Sequence, residues 1–75
     1  MNTIEVSHSS FRRIRVRWPA IGGKGYKSRY FRKFDAAAGF AAGHAIGLKL
    51  PIDDQTELLA PVHWAALVEA IRATD

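Results

Sequence analysis

The stretch FRRIRVRWPAIGGKGYKSRYFRKF, residues 11–34, decides the fold of this chain, because two alternating segments flank a glycine-rich centre. In the first segment, residues 11–18, basic and apolar side chains alternate with a period of two from Arg13 to Trp18. A strand places two such sets on opposite faces, whereas a helix would scatter them around its circumference. The apolar face holds Ile14, Val16 and Trp18, and the other face holds Arg13, Arg15 and Arg17.

The centre of the stretch predicts a hairpin tip. Pro19 lacks the N–H that a strand ladder needs, so we expect the first strand to end there. Gly22, Gly23 and Gly25 surround Lys24, and glycine readily adopts the backbone conformations of tight turns. Residues 26–34 then alternate again. Residues 11–34 are therefore predicted to form a basic β-hairpin.

The second strand determines which face of the hairpin is buried. We expect Tyr26, Tyr30 and Phe34 to join the apolar face and to pack with it against a helix. The opposite face would then gather six cations, namely Arg13, Arg15, Arg17, Lys27, Arg29 and Lys33. Phe31 would lie among them, where it could contact a thymine methyl, stack on an unpaired base, or pack on a neighbouring strand.

An alanine-rich helix is predicted to follow the hairpin over residues 35–47. Asp35 is placed to cap its N-terminus, and Gly47 to follow its last residue in left-handed geometry. Alanine is the best helix former, and it dominates residues 36–46. Three glycines, of which Gly47 is the last, stand four residues apart. This spacing predicts a smooth helix face that packs closely.

The remaining segments complete a single α+β domain over residues 1–75. Residues 3–7 predict a short edge strand, residues 7–10 a turn, and residues 48–59 an irregular acidic connection. Pro61 fits the first position of a last helix over residues 61–74. We therefore expect a small antiparallel sheet of two or three strands, packed on the alanine-rich helix, with a second helix at the C-terminus.

The charge of the chain is unevenly distributed. Residues 1–50 contain ten Lys or Arg and two acids, a formal charge of +8, whereas residues 51–75 carry −4. Nine of the cations fall within residues 11–34, which contain no acid. Like charges on one sheet face repel one another, so this asymmetry predicts an anionic partner.

Nucleic acid is the anion that this pattern favours, because a two-stranded ribbon enters the major groove and Arg can contact guanine there. The predicted contact residues are the six cations of the basic face and Lys24 at the tip. Two other interpretations remain open. The face could be solvated and deter edge aggregation, or it could bind an acidic protein or a membrane surface.

The segments FRRIRVRW, GGKG, YKSRYF and KFDAAAGFAAGHA, within residues 11–46, resemble a known domain. It is the three-stranded-sheet-plus-helix DNA-binding domain of plant ethylene-response factors and of phage tyrosine-recombinase arm-binding domains. The resemblance implies that the sheet lies in the major groove with the helix behind it. It also implies that Arg13, Arg15, Arg17, Lys27 and Arg29 face the groove. The acidic C-terminal segment and the last helix have no counterpart in that family.

Other functions have little support in the sequence. There is no cysteine, and a secreted domain this small usually needs disulfides, so we expect a cytoplasmic protein. His8, His44 and His63 lack metal-ligand spacing, and adjacent Asp53 and Asp54 have diverging side chains. We therefore expect neither an enzyme nor a cofactor.

The preferred hypothesis is a small DNA-binding protein, such as a phage or plasmid regulator of transcription or a recombination accessory factor. The alternatives are a phage-encoded inhibitor or adaptor that binds a host protein, and an RNA-binding protein. The protein could also form a homodimer.

Overall fold

The structure is a computed structural model that describes residues 3–20 and 22–74. It contains a sheet covered on one face by a helix, and a second helix packs against the first. The elements in chain order are β1 (Ile4–Ser9), β2 (Arg13–Pro19), β3 (Tyr26–Phe31), α1 (Phe34–Leu48), β4 (Ile52–Asp54) and α2 (Pro61–Ala73). A short 3₁₀ turn, Ser10–Arg12, joins β1 to β2.

The sheet has four strands in the order β3-β2-β1-β4. The first three strands are antiparallel, whereas β4 runs parallel to β1. Strand β4 is also parallel to β3, which precedes it in the chain, and a parallel connection needs a crossover. Helix α1 supplies it by crossing the sheet from the β3 edge to the β4 edge. The predicted α+β class and the two helices are confirmed. The predicted antiparallel sheet of two or three strands did not include β4, and the observed sheet is mixed and has four strands.

The core lies between the sheet and α1. Strands β1 and β2 contribute Ile4, Val6, Ile14 and Val16, all of them buried. Small residues of α1 meet them, which lets the helix backbone lie close to the sheet; they are Ala37, Ala38, Ala41 and Ala45. Trp64 of α2 closes the core from the side.

The two ends of α1 differ from the prediction. The helix begins at Phe34 with Lys33 as N-cap, so Asp35 lies within the first turn instead of capping it. There its carboxylate still faces the positive end of the helix dipole. The helix continues through Gly47 to Leu48, and Lys49 takes the left-handed position with φ 56°. Leu48 packs against the core, which accounts for the longer helix.

The glycines of α1 do not mediate the close packing that was expected. A Cβ atom added at Gly39, Gly43 or Gly47 would meet nothing within 4 Å. The buried alanines make the close contacts instead, and the glycine row lies on the other side of the helix.

Three further boundaries shift. Residues 7–9 belong to β1 rather than to a turn, so the turn falls at Ser10–Arg12 and β2 begins at Arg13. Strand β3 ends at Phe31 rather than at residue 34. The start of α2 at Pro61 is confirmed. Within the described residues no helix combines the length and the apolar character needed to cross a membrane.

Candidate nucleic-acid interface

Strand register decides which side chains share a face, because directly paired residues point to the same side of a sheet. Arg15 pairs with Tyr30 and with Ser7, whereas Val16 pairs with Arg29 and with Val6. The face opposite α1, here called the outer face, follows from this register. Its members are Glu5, Ser7, Ser9, Arg13, Arg15, Arg17, Pro19, Tyr26, Ser28, Tyr30 and Asp53.

The predicted partition of β3 between the two faces is wrong. Tyr26 and Tyr30 lie on the outer face beside the arginines, and each is about half exposed. Lys27 and Arg29 lie on the side of α1, where the Arg29 guanidinium sits 5.3 Å from the ring centre of Phe40. The six predicted cations therefore do not form one face.

The other predicted contact residues have separate positions. Lys33 follows the end of β3 and precedes α1, and Lys24 is exposed at the hairpin tip. Phe31 packs on Phe40 of α1, with ring centroids 5.2 Å apart, so it is not available to stack on a base. Phe34 packs instead against Trp64, with ring centroids 6.0 Å apart.

The length of the hairpin loop explains the reversed partition. Pro19 pairs with Tyr26, and Ala20 N–H donates to the Gly25 carbonyl over 3.2 Å. This closure pairs odd positions of β2 with even positions of β3. A shift of one residue moves every side chain to the other face. Because β3 has aromatic residues at even positions (Tyr26 and Tyr30) and at an odd one (Phe31), its pattern could not reveal the register.

The three arginines of the outer face stand in one row on β2 and have different surroundings. Arg17 lies 3.9 Å from the Glu5 carboxylate and 4.3 Å from the ring centre of Tyr26. Neither Arg13 nor Arg15 forms an ion pair with a described residue. Two of the three guanidinium groups thus remain available to an anion.

The centre of the outer face holds two polar atoms that lack a partner. Ser7 is 8% exposed, and its Oγ forms no hydrogen bond within the described residues. The Nε of Arg15, its neighbour in the register, is also buried without a partner. Buried polar groups are nearly always hydrogen-bonded.

The acidic groups of the outer face lie at its β4 side. Glu5 pairs with Asp53 in the parallel register, and the Gln55 side-chain amide donates to both carboxylates, over 3.3 and 3.1 Å. The outer face is therefore basic and aromatic across β2 and β3, and its two carboxylates lie on β1 and β4.

Asp54 lies on the α1 side of the sheet, so adjacent Asp53 and Asp54 diverge as predicted. Its carboxylate accepts hydrogen bonds from the Trp64 indole N–H over 2.8 Å, from the Thr56 backbone N–H over 2.9 Å and from the Thr56 hydroxyl. Burial raises the pKa of Asp54, but the hydrogen bonds together outweigh burial and lower it. This network joins β4 to α2, and nothing in the sequence pattern pointed to it.

A cleft of about 890 Å³ runs between α2 and β4. Its apolar lining residues include Leu50, Ile52 and Val68. Four carboxylates and one guanidinium line it, those of Asp53, Asp54, Glu57, Glu69 and Arg72. This excess of negative charge would repel a phosphate.

The row of arginines on β2, flanked by exposed tyrosines of β3, is thus the surface of the described residues best suited to a nucleic acid. Searches against protein-family models, curated proteins and solved structures return no match for this chain.

Proposed function

We propose that this protein is a small non-enzymatic DNA-binding protein that contacts duplex DNA through the outer face of its sheet. The row formed by Arg13, Arg15 and Arg17 carries this proposal. The resemblance of residues 11–46 to sheet-based DNA-binding domains favours a role as a phage or plasmid regulator or recombination accessory factor.

The dimensions of the row suit a duplex. Alternate residues of a strand are about 6.8 Å apart, so the three arginines span about 14 Å. The rise of DNA is about 3.4 Å per base pair, so successive arginines match steps of about two base pairs. The two-stranded ribbon formed by β2 and β3 also fits the width of the major groove, about 12 Å. Lys24 at the tip would reach the phosphate backbone.

The exposed tyrosines favour RNA as a second candidate. Tyr26 and Tyr30 are 43% and 51% exposed on the outer face, and RNA-binding sheets stack unpaired bases on such rings. Competition between duplex DNA, duplex RNA and a single strand at equal salt separates these candidates. An affinity for RNA well above that for DNA would contradict the preferred proposal.

A salt titration tests the electrostatic part of the proposal. About four phosphates neutralised by the arginines and Lys24 predict that log affinity falls with log salt at a slope of roughly −3 to −4. A flat response would show that phosphate contacts do not drive binding. Binding to a host protein in nuclease-treated lysate, without affinity for DNA, would favour the inhibitor or adaptor hypothesis.

Two matched double variants locate the contact surface. Arg13→Glu with Arg15→Glu should weaken binding at least about 30-fold, since each arginine contact contributes about 1–3 kcal/mol. Lys27→Glu with Arg29→Glu makes the same change in charge on the α1 side and should reduce affinity much less. Equal losses from both pairs would contradict binding through the outer face. Circular dichroism checks that both variants are folded.

A further inference from the structure

The turn between β1 and β2 holds an exposed aromatic ring in a strained backbone. Phe11 has φ 61° and ψ 35°, and Arg12 follows with φ 58°. Non-glycine residues in this left-handed region cost roughly 1–2 kcal/mol each. The Phe11 side chain is nevertheless 92% exposed, so no burial of the ring compensates for the strain. Strained residues of this kind cluster at ligand clamps.

A shallow cleft adjoins this turn. It has a volume of about 340 Å³ and is lined by Ser9, Ser10, Phe11, Arg13 and Tyr30. We call it the aromatic cleft. Neither the Phe11 ring nor the Tyr30 ring takes part in the aromatic contacts found among the described residues, so both remain able to stack on a ligand.

We infer that the aromatic cleft binds one unpaired nucleotide at the end of a DNA duplex that lies along the arginine row. This inference rests on the proposed function and adds a preference for a junction between paired and unpaired DNA. The cleft combines the groups that a nucleotide requires. Two aromatic rings can stack on a base, Arg13 can contact a phosphate, and the hydroxyls of Ser9 and Ser10 can hydrogen-bond to a base edge.

The position of the cleft matches this ligand. Arg13 belongs both to the cleft and to the row, and it stands at the end of the row opposite Arg17. A duplex that follows the row therefore reaches the cleft where its paired region ends. The volume lies at the lower end of the range for small-molecule sites, about 300–1,000 Å³, which suits a single nucleotide.

The test compares three DNA ligands of one duplex sequence by fluorescence anisotropy at fixed salt. The first is blunt, the second carries a single-stranded overhang, and the third carries the same overhang with abasic sites. The abasic ligand keeps the phosphates of the overhang and removes only the bases. We expect the overhang to bind at least about fivefold more tightly than its abasic counterpart, which is the factor for about 1 kcal/mol of base stacking.

Phe11→Gly is the decisive variant, because it removes the ring and also relieves the strained φ. It should remove the preference for the base-containing overhang, leave blunt-duplex affinity unchanged, and keep or raise the thermal midpoint. Val62→Ala is the matched control, since it truncates another exposed apolar side chain, 69% exposed, on α2. It should keep the preference.

The outcomes separate the two proposals. Equal affinity for all three ligands, or a preference that persists in Phe11→Gly, would overturn the aromatic cleft while leaving duplex binding intact. Failure to bind any of the three ligands would overturn the proposed function itself.

Discussion

The two faces of β2 are formed by the same seven residues, yet one face is buried and the other faces away from the core. Ile14 and Val16 are buried under the alanines of α1, whereas Arg13, Arg15 and Arg17 face away from every helix. The first face needs a partner within the chain and has one. The second face gathers like charges beside exposed tyrosines, and neither α1 nor α2 covers it. Stability and binding should therefore respond to different substitutions on neighbouring residues.

The largest expected effect is a loss of folding stability when the buried face of β2 is disrupted. Ile14→Ala should cost about 2–5 kcal/mol, because it removes a large side chain from a closely packed core. A domain of this size has a stability of roughly 4–11 kcal/mol, so the variant would be close to unfolding. Urea denaturation provides the measurement.

Tyr26→Ala on the outer face is the matched comparison. It removes a half-exposed ring and its cation–π contact with Arg17, which together should cost about 1 kcal/mol or less. A loss from Tyr26→Ala as large as that from Ile14→Ala would mean that the outer face also stabilises the fold.

The structure is predictable from the sequence where one residue pattern allows one structure. The alternation of β2 separates arginines from apolar residues without ambiguity, and Pro61 starts α2 as expected. The structure is not predictable where two arrangements fit one pattern equally well. Tyr30 and Phe31 are adjacent aromatic residues with opposite orientations, and only the closure of the hairpin loop selects between them.

Long-range pairing was the other limit. Strand β4 contains only three residues, and it is stabilised by pairing with β1 from the far end of the chain. Neither its length nor its composition predicts a strand. The sequence does not predict the aromatic cleft either, because the pattern of residues 11–18 places Phe11 at the start of a strand, whereas in the structure it lies in a strained turn.

The link between β4 and α2 is expected to be the next most sensitive feature. Asp54→Asn should cost about 1–3 kcal/mol at neutral pH, because the amide that replaces one carboxylate oxygen leaves a donor without a partner. The folded-state pKa of Asp54 is lowered from its ordinary value of 3.8. Its contribution is therefore present above that value and is lost as the pH falls through the folded-state pKa.

Urea midpoints of the wild type and of Asp54→Asn should accordingly differ at pH 7 and converge as the pH falls below about 4. A difference that stays constant down to strongly acidic pH would contradict a stabilising carboxylate at this position. Asp53→Asn is the matched control, since Asp53 is exposed on the other side of the strand, and it should change the midpoints little at either pH.

Helix α1 repeats the contrast between a covered and an open face. Five of its six alanines are buried, while Gly43 is exposed and has free space around it. Gly43→Ala should therefore stabilise the protein by about 1 kcal/mol, the difference in helix propensity. This would raise the thermal midpoint by about 4–8 °C in a domain of this size. A lower midpoint would indicate that a close contact at Gly43 is required.

The smallest expected effect concerns the charge contrast within the outer face itself. Glu5 lies between the arginine row and Asp53 and pairs with Arg17 over 3.9 Å. Glu5→Gln removes a negative charge beside the proposed phosphate path and frees Arg17. Partly exposed ion pairs contribute about 1 kcal/mol or less, so DNA affinity should rise by about fivefold at most. The gain should shrink as salt increases, because added ions screen the lost repulsion.

Glu69→Gln tests whether that gain depends on position rather than on net charge. Glu69 also pairs with an arginine, Arg72 at 3.6 Å, but it lies on α2. Both variants raise the net charge of the protein by one. If DNA follows the arginine row, only Glu5→Gln should tighten binding measurably. Equal gains from the two variants would mean that DNA responds to the overall charge of the protein and not to the outer face.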